Sequence, residues 1–281
     1  MSGGVLLAVL AAAALHGTWN ALAKAIPGRL VSSALIGSVY AVLGGIGCLV
    51  LPFPPSYVWP YLVLSAVVQT GYLVLLTAAY AVGEFGRTYP LTRGVAVLGI
   101  TLAATVLLGE HLQPAQTAGV GVVAAALCAL SWSPGGRGDL RGTLLAVAVG
   151  LSITAYSVID GVGVRLSGDP LGYAAWLFLL QGLVLPLVCV TMSRDRRGLL
   201  RGMRRHAPMG VIGGILSLAA YTIVVWAQST APLAVVSALR ETGVLAAAVI
   251  GYFAFREPLS AWRLGATVVA VSGIVAIRLG G

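Results

Sequence analysis

Residues 86–112 read GRTYPLTRGVAVLGITLAATVLLGEHL, and residues 233–259 read LAVVSALRETGVLAAAVIGYFAFREPL. Each is a predominantly apolar run with an arginine inside it, Arg93 in the first and Arg240 in the second. Each arginine precedes a glutamate, Glu110 or Glu257, by 17 residues. A helix that crosses a bilayer needs roughly 20 apolar residues, so both stretches read as membrane spans. The arginines lie about seven residues into them, or roughly 10 Å deep at 1.5 Å per residue. A charge at the centre of such a helix costs about 2.5 to 3.5 kcal/mol on insertion scales. Two of them at matching positions therefore ask for a reason.

The rest of the chain has the same character. Of 281 residues, 59% are hydrophobic and 9% charged, against about 25% charged in an ordinary soluble domain. That excludes disorder, which needs a polar, charged chain, and makes an ordinary soluble enzyme untenable. Alternating ten-residue segments of the barrel kind are absent. Apolar runs bounded by Pro, Gly and charge fall near 4–24, 31–51, 57–82, 86–108, 114–132, 142–163, 171–191, 208–227, 233–254 and 260–278. The expected fold is therefore an all-α integral membrane protein of ten transmembrane helices, multi-pass in the inner or plasma membrane. The N-terminus lacks a basic leader region, so the first run is expected to be retained. The longest loops are expected near 133–141 and 192–207. The first has linker composition and divides residues 1–132 from 142–281, five spans each.

The halves look related beyond the two arginines. His16 and Asn20 are four apart in span 1, and Tyr156 and Asp160 are four apart in span 6, shifted by 140. An odd number of helices per half turns the second half upside down. Inverted five-helix repeats are a transporter architecture with the substrate site near the midplane between repeats.

These features resemble the EamA-type members of the drug/metabolite transporter (DMT) superfamily. The resemblance is carried by the ten spans in two halves, and by Gly109-Glu110-x-Leu112 and Arg256-Glu257-x-Leu259 after the fourth helix of each. The segments His16-Gly17-Thr18-Trp19-Asn20-Ala21 and Ala238-Leu239-Arg240-Glu241-Thr242 are similar to one branch of it in particular. The resemblance implies alternating access and export of amino acids or other small metabolites. It also implies both termini inside. The charge count implies the opposite. Thirteen loop cations fall on one side, and only Arg165 and Arg278 on the other. The positive-inside rule makes the first side cytoplasmic and puts both termini outside. The net charge of +9 is thereby explained without nucleic acid as a partner.

Candidate site residues are the polar groups that are expensive in a bilayer. A guanidinium fork matches a carboxylate or phosphate, so Arg93 and Arg240 are candidate anion contacts. The alternative is a structural tie to Glu241, Asp160 or freed carbonyls. Glu241 projects about 100° around the helix from Arg240, which suggests a different partner. Asp160 and Glu241 are candidates for a proton site or a contact to a substrate amine, or else permanent partners of an arginine. His16 titrates near neutrality in water and shares a helix face with Asn20, beside Trp19. Pro90 frees the carbonyl of Gly86 and, with Tyr89 and Arg93, marks a loosened helix of the kind that points to a transporter's binding site. Tyr156 and Tyr221 lie deep in their spans, as do Gln69 and Gln181. Tyr72, Tyr80, Trp176 and Trp226 lie nearer span ends, where aromatics anchor to the interface. Glu110 and Glu257 precede helices and suit caps or loop clamps. Gly210-x-x-x-Gly214 is a close-packing pattern.

Cys48, Cys128 and Cys189 fit neither a metal site nor a disulfide framework, and no cofactor is expected. The phosphate-binding loop Gly-x-x-x-x-Gly-Lys-Ser/Thr is absent, so energy must come from a gradient or exchange. Signatures of an intramembrane enzyme are missing too. The first expectation is therefore a secondary transporter, with a small-molecule substrate, the lipid bilayer and protons as partners. The oligomeric state stays open between monomer and homodimer. The competing expectation is proton-coupled efflux of lipophilic cations. The small multidrug members of the superfamily do that with a carboxylate in their first helix, a position that holds only His16 and Asn20 here.

Overall fold

The computed structural model describes residues 2–82, 85–131, 140–241, 243 and 261–279. Its α-helices are α1 (Gly3–Ala25), α2 (Arg29–Val50), α3 (Trp59–Val82), α4 (Phe85–Val106), α5 (Pro114–Leu130), α6 (Leu140–Ser167), α7 (Pro170–Met192), α8 (Arg196–Thr230), α9 (Leu233–Glu241) and α10 (Ala261–Leu279). A short 3-10 turn, Ser56–Val58, precedes α3. Strands are absent among the described residues. Seven of these helices are long and apolar enough to cross a membrane; α5 and residues 268–279 of α10 are shorter apolar helices. The expected ninth span beyond Glu241, most of the expected linker, Arg256 and Glu257 lie outside the described residues.

Several helices start where side chains can take the free N–H groups of a first turn. Asp169 accepts from Gly172 N at 3.0 Å at the start of α7, where Pro170 takes the first helical position. Gln113 and Gln116 form a reciprocal capping box at α5. Asp195 accepts from Gly198 N at 2.8 Å and starts α8 there. That last cap corrects the expected 192–207 loop. The basic run is helix from Arg196, continuous through Pro208 into the span. Arg, Leu and Met are good helix formers, and the charge of this run decides where it sits rather than its backbone conformation.

The main packings are α2 on α7, α5 on α10, α3 on α6, α1 on α8 and α4 on α6, and α4 also packs on α9. Glycines set the closest crossings, as expected where lipid supplies no hydrophobic drive between helices. A Cβ on Gly44 would come within 2.6 Å of Leu179 N, and one on Gly182 would collide with the backbone of Tyr40 and Ala41. Gly119 and Gly273 face each other across α5 and α10. Gly210 and Gly214 lie against Leu35 and Val39, so that motif packs α8 on α2 within the chain. Gly182→Ala is accordingly expected to destabilise the detergent-purified protein by about 1–3 kcal/mol, read as a fall in its thermal midpoint. The outer surface stays apolar: Leu49, Leu64, Leu102, Leu187 and Val268 are all exposed, as suits lipid contact.

The α4–α5 loop ties the chain together at one end of the bundle. Glu110 receives Leu233 N at 2.9 Å and Arg165 Nη2 at 2.7 Å. Arg165 also donates to the carbonyls of Gln228 and Ala231. Glu110 is thus a cap, but of α9 rather than of the α5 that follows it. Gly109, at φ +65°, makes the turn immediately before Glu110.

Candidate functional site

The two intramembrane arginines meet. α4 packs against α9, and both guanidinium groups converge on Glu241. Arg240 Nε lies 3.0 Å and its Nη2 2.9 Å from Glu241 Oε1, while Arg93 Nη1 lies 3.4 Å from the same oxygen. All three side chains are buried. This corrects the expectation that Glu241 turns away from Arg240. Neighbouring residues do diverge by about 100°, but an arginine side chain is long enough to wrap back across its own helix.

The charges in this cluster do not balance. Two guanidinium groups share one carboxylate, leaving one positive charge in excess among the buried groups in contact. Arg93 Nε is buried without a hydrogen-bond partner, and Arg240 Nη2, although close to the carboxylate, is off the hydrogen-bonding line. Buried donors are rarely left unused, so the Arg93 Nε–H, which also has no carboxylate contact, is available to an anion.

α1 brings His16 beside this cluster, within electrostatic range of Arg93, Arg240 and Glu241. Trp19 Nε1 donates to His16 Nδ1 at 3.3 Å, and their rings stand edge to face at 5.2 Å. Asn20 donates to the carbonyl of His16 at 2.7 Å. With Nδ1 taken by the indole, His16 Nε2 is left buried and unpartnered. Tyr89, one helical turn before Arg93, puts its ring 5.1 Å from that guanidinium, a cation–π contact. α4 continues through Pro90.

A second polar centre forms on α6. Asp160 is fully buried. It accepts from Tyr173 at 2.9 Å on one oxygen, and from Tyr221 at 2.5 Å and Gln69 at 3.2 Å on the other. Its direct partners are therefore neutral donors from α7, α8 and α3, and the expected permanent pairing with an arginine holds for Glu241 but not for Asp160. Tyr156 stands beside this centre, its ring 6.4 Å from Tyr221 and 5.8 Å from Tyr72, and it is within electrostatic range of Arg240 and Arg93 in the first centre. Asp160→Asn turns an acceptor pair into one acceptor and one donor facing O–H and N–H groups. A loss of about 2 kcal/mol in stability is expected, visible as a lower melting midpoint.

All ten candidate residues thus fall into two linked centres: Arg93, Arg240, Glu241, His16, Trp19, Asn20 and Tyr89 around the cationic cluster, and Asp160, Tyr221 and Tyr156 beside it. Tyr173 was not foreseen. It lies four residues after the α6–α7 turn and Asp160 eight before it, so the hairpin sets them on adjoining helices and the long tyrosine side chain spans the difference in depth. Among the other polar candidates, Gln181 is buried on α7, with its Nε2 unpartnered. Trp176 meets Phe53 and Trp59 edge to face near the α2–α3 connection, and Tyr80 lies under the Arg29 guanidinium at 3.8 Å. A recess of about 530 Å³ between the α1–α2 turn and the start of α8 is lined by Arg29, Val31, Thr77, Tyr80, Asp195 and Leu199 among others. None of the ten candidate residues borders it. Among the described residues there is no group of His, Cys, Asp and Glu that could hold a metal ion.

Residues 140–279 match the EamA-like transporter family. A solved structure described only as a crystal structure of a protein superposes with a TM-score of 0.77 at 21% identity, covering 99% of each chain. At that identity the likeness speaks for the fold, over its whole length. No curated protein matches.

Proposed function

Because the chain belongs to the EamA-like transporter family, within the DMT superfamily, we propose that it is a secondary active exporter of a small polar metabolite with an anionic group, such as an amino acid or organic anion. The observation that carries this reading is the buried pair of arginines sharing one carboxylate. Their surplus positive charge and the unused Arg93 Nε–H suit a carboxylate or phosphate. Arg93 and Arg240 hold the anionic end, and His16, Trp19, Asn20 and Tyr89 surround it. Tyr156 and Tyr221 border the remainder of the substrate. Asp160 meets a substrate amine only if Tyr221 gives up its bond, so its first role is to orient Tyr221.

Residues 1–132 and 142–281 act as two inverted five-helix repeats joined by the 133–141 linker, with alternating access between them. The packing supports this. Exchanging α1–α5 for α6–α10 maps α3–α6 onto α8–α1, and leaves α2–α7, α4–α9 and α5–α10 unchanged. The Arg93–Glu241–Arg240 cluster lies at one of these self-paired contacts, between the fourth helices of both halves. Glu110, bound to Arg165 and α9, closes one end and must release for that end to open. The protein is not an enzyme in this reading; protons or exchange drive it.

The test is uptake of radiolabelled amino acids and small organic anions into proteoliposomes, with and without a proton gradient. Saturable uptake of an anionic or zwitterionic solute supports the reading. Uptake of lipophilic cations alone would instead establish drug efflux and overturn it.

A further inference from the structure

The N-terminal extension of α8 carries a basic surface that the transport site does not use. Arg194, Arg196, Arg197, Arg201, Arg204 and Arg205 are all exposed. None of the six is in an ion pair among the described residues. The one acid within the run, Asp195, is occupied as the helix cap.

The helix gives these charges a direction. At about 100° per residue, Arg197, Arg201, Arg204 and Arg205 fall within an arc of about 100°. One to three turns further on, the same face carries Val211, Ile212 and Ile215, exposed by 44%, 53% and 46%. The opposite face is the packed one. Leu199 is buried, and Gly202, Gly210 and Gly214 lie against Val31, Leu35 and Val39 of α2. One continuous outward stripe of α8 therefore changes from arginine to branched aliphatic at Pro208.

We propose that this stripe is a binding site for an anionic phospholipid of the leaflet on the basic side of the protein. An acyl chain lies along Val211, Ile212 and Ile215, and the headgroup phosphate is held by Arg201, Arg204 and Arg205. The order of groups along the helix matches the order of groups along a lipid. Ile212 is separated from Arg204 by about 12 Å of helix rise, which takes the site from the hydrocarbon into the headgroup layer. Guanidinium groups bind phosphate with charge-assisted, often bidentate, hydrogen bonds, and basic residues next to a span attract anionic lipid. A bound lipid would also brace α8 where it packs on α2, beside the half-to-half contact of α2 with α7.

The test is a titration of the detergent-purified full chain with phosphatidylglycerol, phosphatidylcholine or inorganic phosphate, following the thermal midpoint. Phosphatidylglycerol is expected to stabilise, and the other two to do so little. The triple variant Arg201→Gln/Arg204→Gln/Arg205→Gln is expected to need roughly 100-fold more phosphatidylglycerol for the same shift. The triple lysine variant, which keeps the charge, should lose only part of it. A second variant, Arg194→Gln/Arg196→Gln/Arg278→Gln, removes as many charges from elsewhere and should respond like the parent. Equal responses to the two lipids, stabilisation by free phosphate alone, or equal losses in both glutamine triples would overturn the proposal. Should the first triple not fold, Ile212→Asn/Ile215→Asn tests the same stripe from its apolar half: an unchanged phosphatidylglycerol response there would overturn it.

Discussion

Glu241→Gln lowers the thermal midpoint of the purified protein more than replacement of either arginine. The expectation follows from counting the charges left behind. In the native cluster Glu241 Oε1 lies within 3.4 Å of both guanidinium groups. Removing its charge leaves two buried cations side by side with no counter-ion in contact. Breaking a buried pair by deleting one partner costs about 3–5 kcal/mol, because the other charge stays desolvated. Here two charges stay, and they also repel each other. At about 2–4 °C per kcal/mol, the range for domains of about 150–250 residues and an upper bound for a longer chain, the midpoint falls by roughly 10 °C. A thermal melt followed by aggregation or by intrinsic fluorescence reads it directly. A shift of a degree or less would mean that the carboxylate is not the anchor of these arginines.

Arg93→Gln has the opposite profile: a modest effect on stability and a large one on substrate. Arg240 keeps the closer contacts to Glu241, at 3.0 and 2.9 Å. Removal of Arg93 therefore leaves one cation with one anion, a balanced pair. What disappears is the surplus charge and the unused Nε–H. Truncating one partner of a buried charge pair costs about 2–5 kcal/mol in binding, so apparent substrate affinity should fall by about 100-fold or more. Arg93→Lys restores the charge without the planar fork and should recover only part of the affinity. Binding and melting measured on the same preparations separate the two effects. A variant that loses stability and affinity together would make Arg93 a structural tie and nothing more.

Much of this arrangement is legible in the sequence. Apolar runs interrupted by turn residues set the helices because a bilayer imposes their length. Arg93 and Arg240 stood out because a buried charge in a span is costly. Their shared partner was not legible. The angular offset between Arg240 and Glu241 describes where side chains leave the helix, and arginine reach then decides where they end. Asp160 looked like another arginine partner, since the sequence does not show how far apart two spans lie. Its ties to Tyr173 and Tyr221 needed the hairpin geometry of α6 and α7 and the packing of α8. The 192–207 stretch looked like a loop because charge was read as conformation. Asp195 as a cap, with Leu199, Met203 and His206 spaced for one helix face, was the signal to follow. Glu110 was recognised as a cap, but its helix could be known only once α9 was placed beside the α4–α5 loop.

The central claim is that surplus positive charge between α4 and α9 receives the anionic end of the substrate. The most direct measurement pairs each amino acid in a binding panel with its own carboxamide, and follows the thermal midpoint of the native protein and of Arg93→Gln. A ligand that binds the native state raises that midpoint by mass action. The expected result is stabilisation of the native protein by an amino acid, none by its amide, and none by either in Arg93→Gln. Equal stabilisation by acid and amide, or a response that survives in Arg93→Gln, would contradict the account.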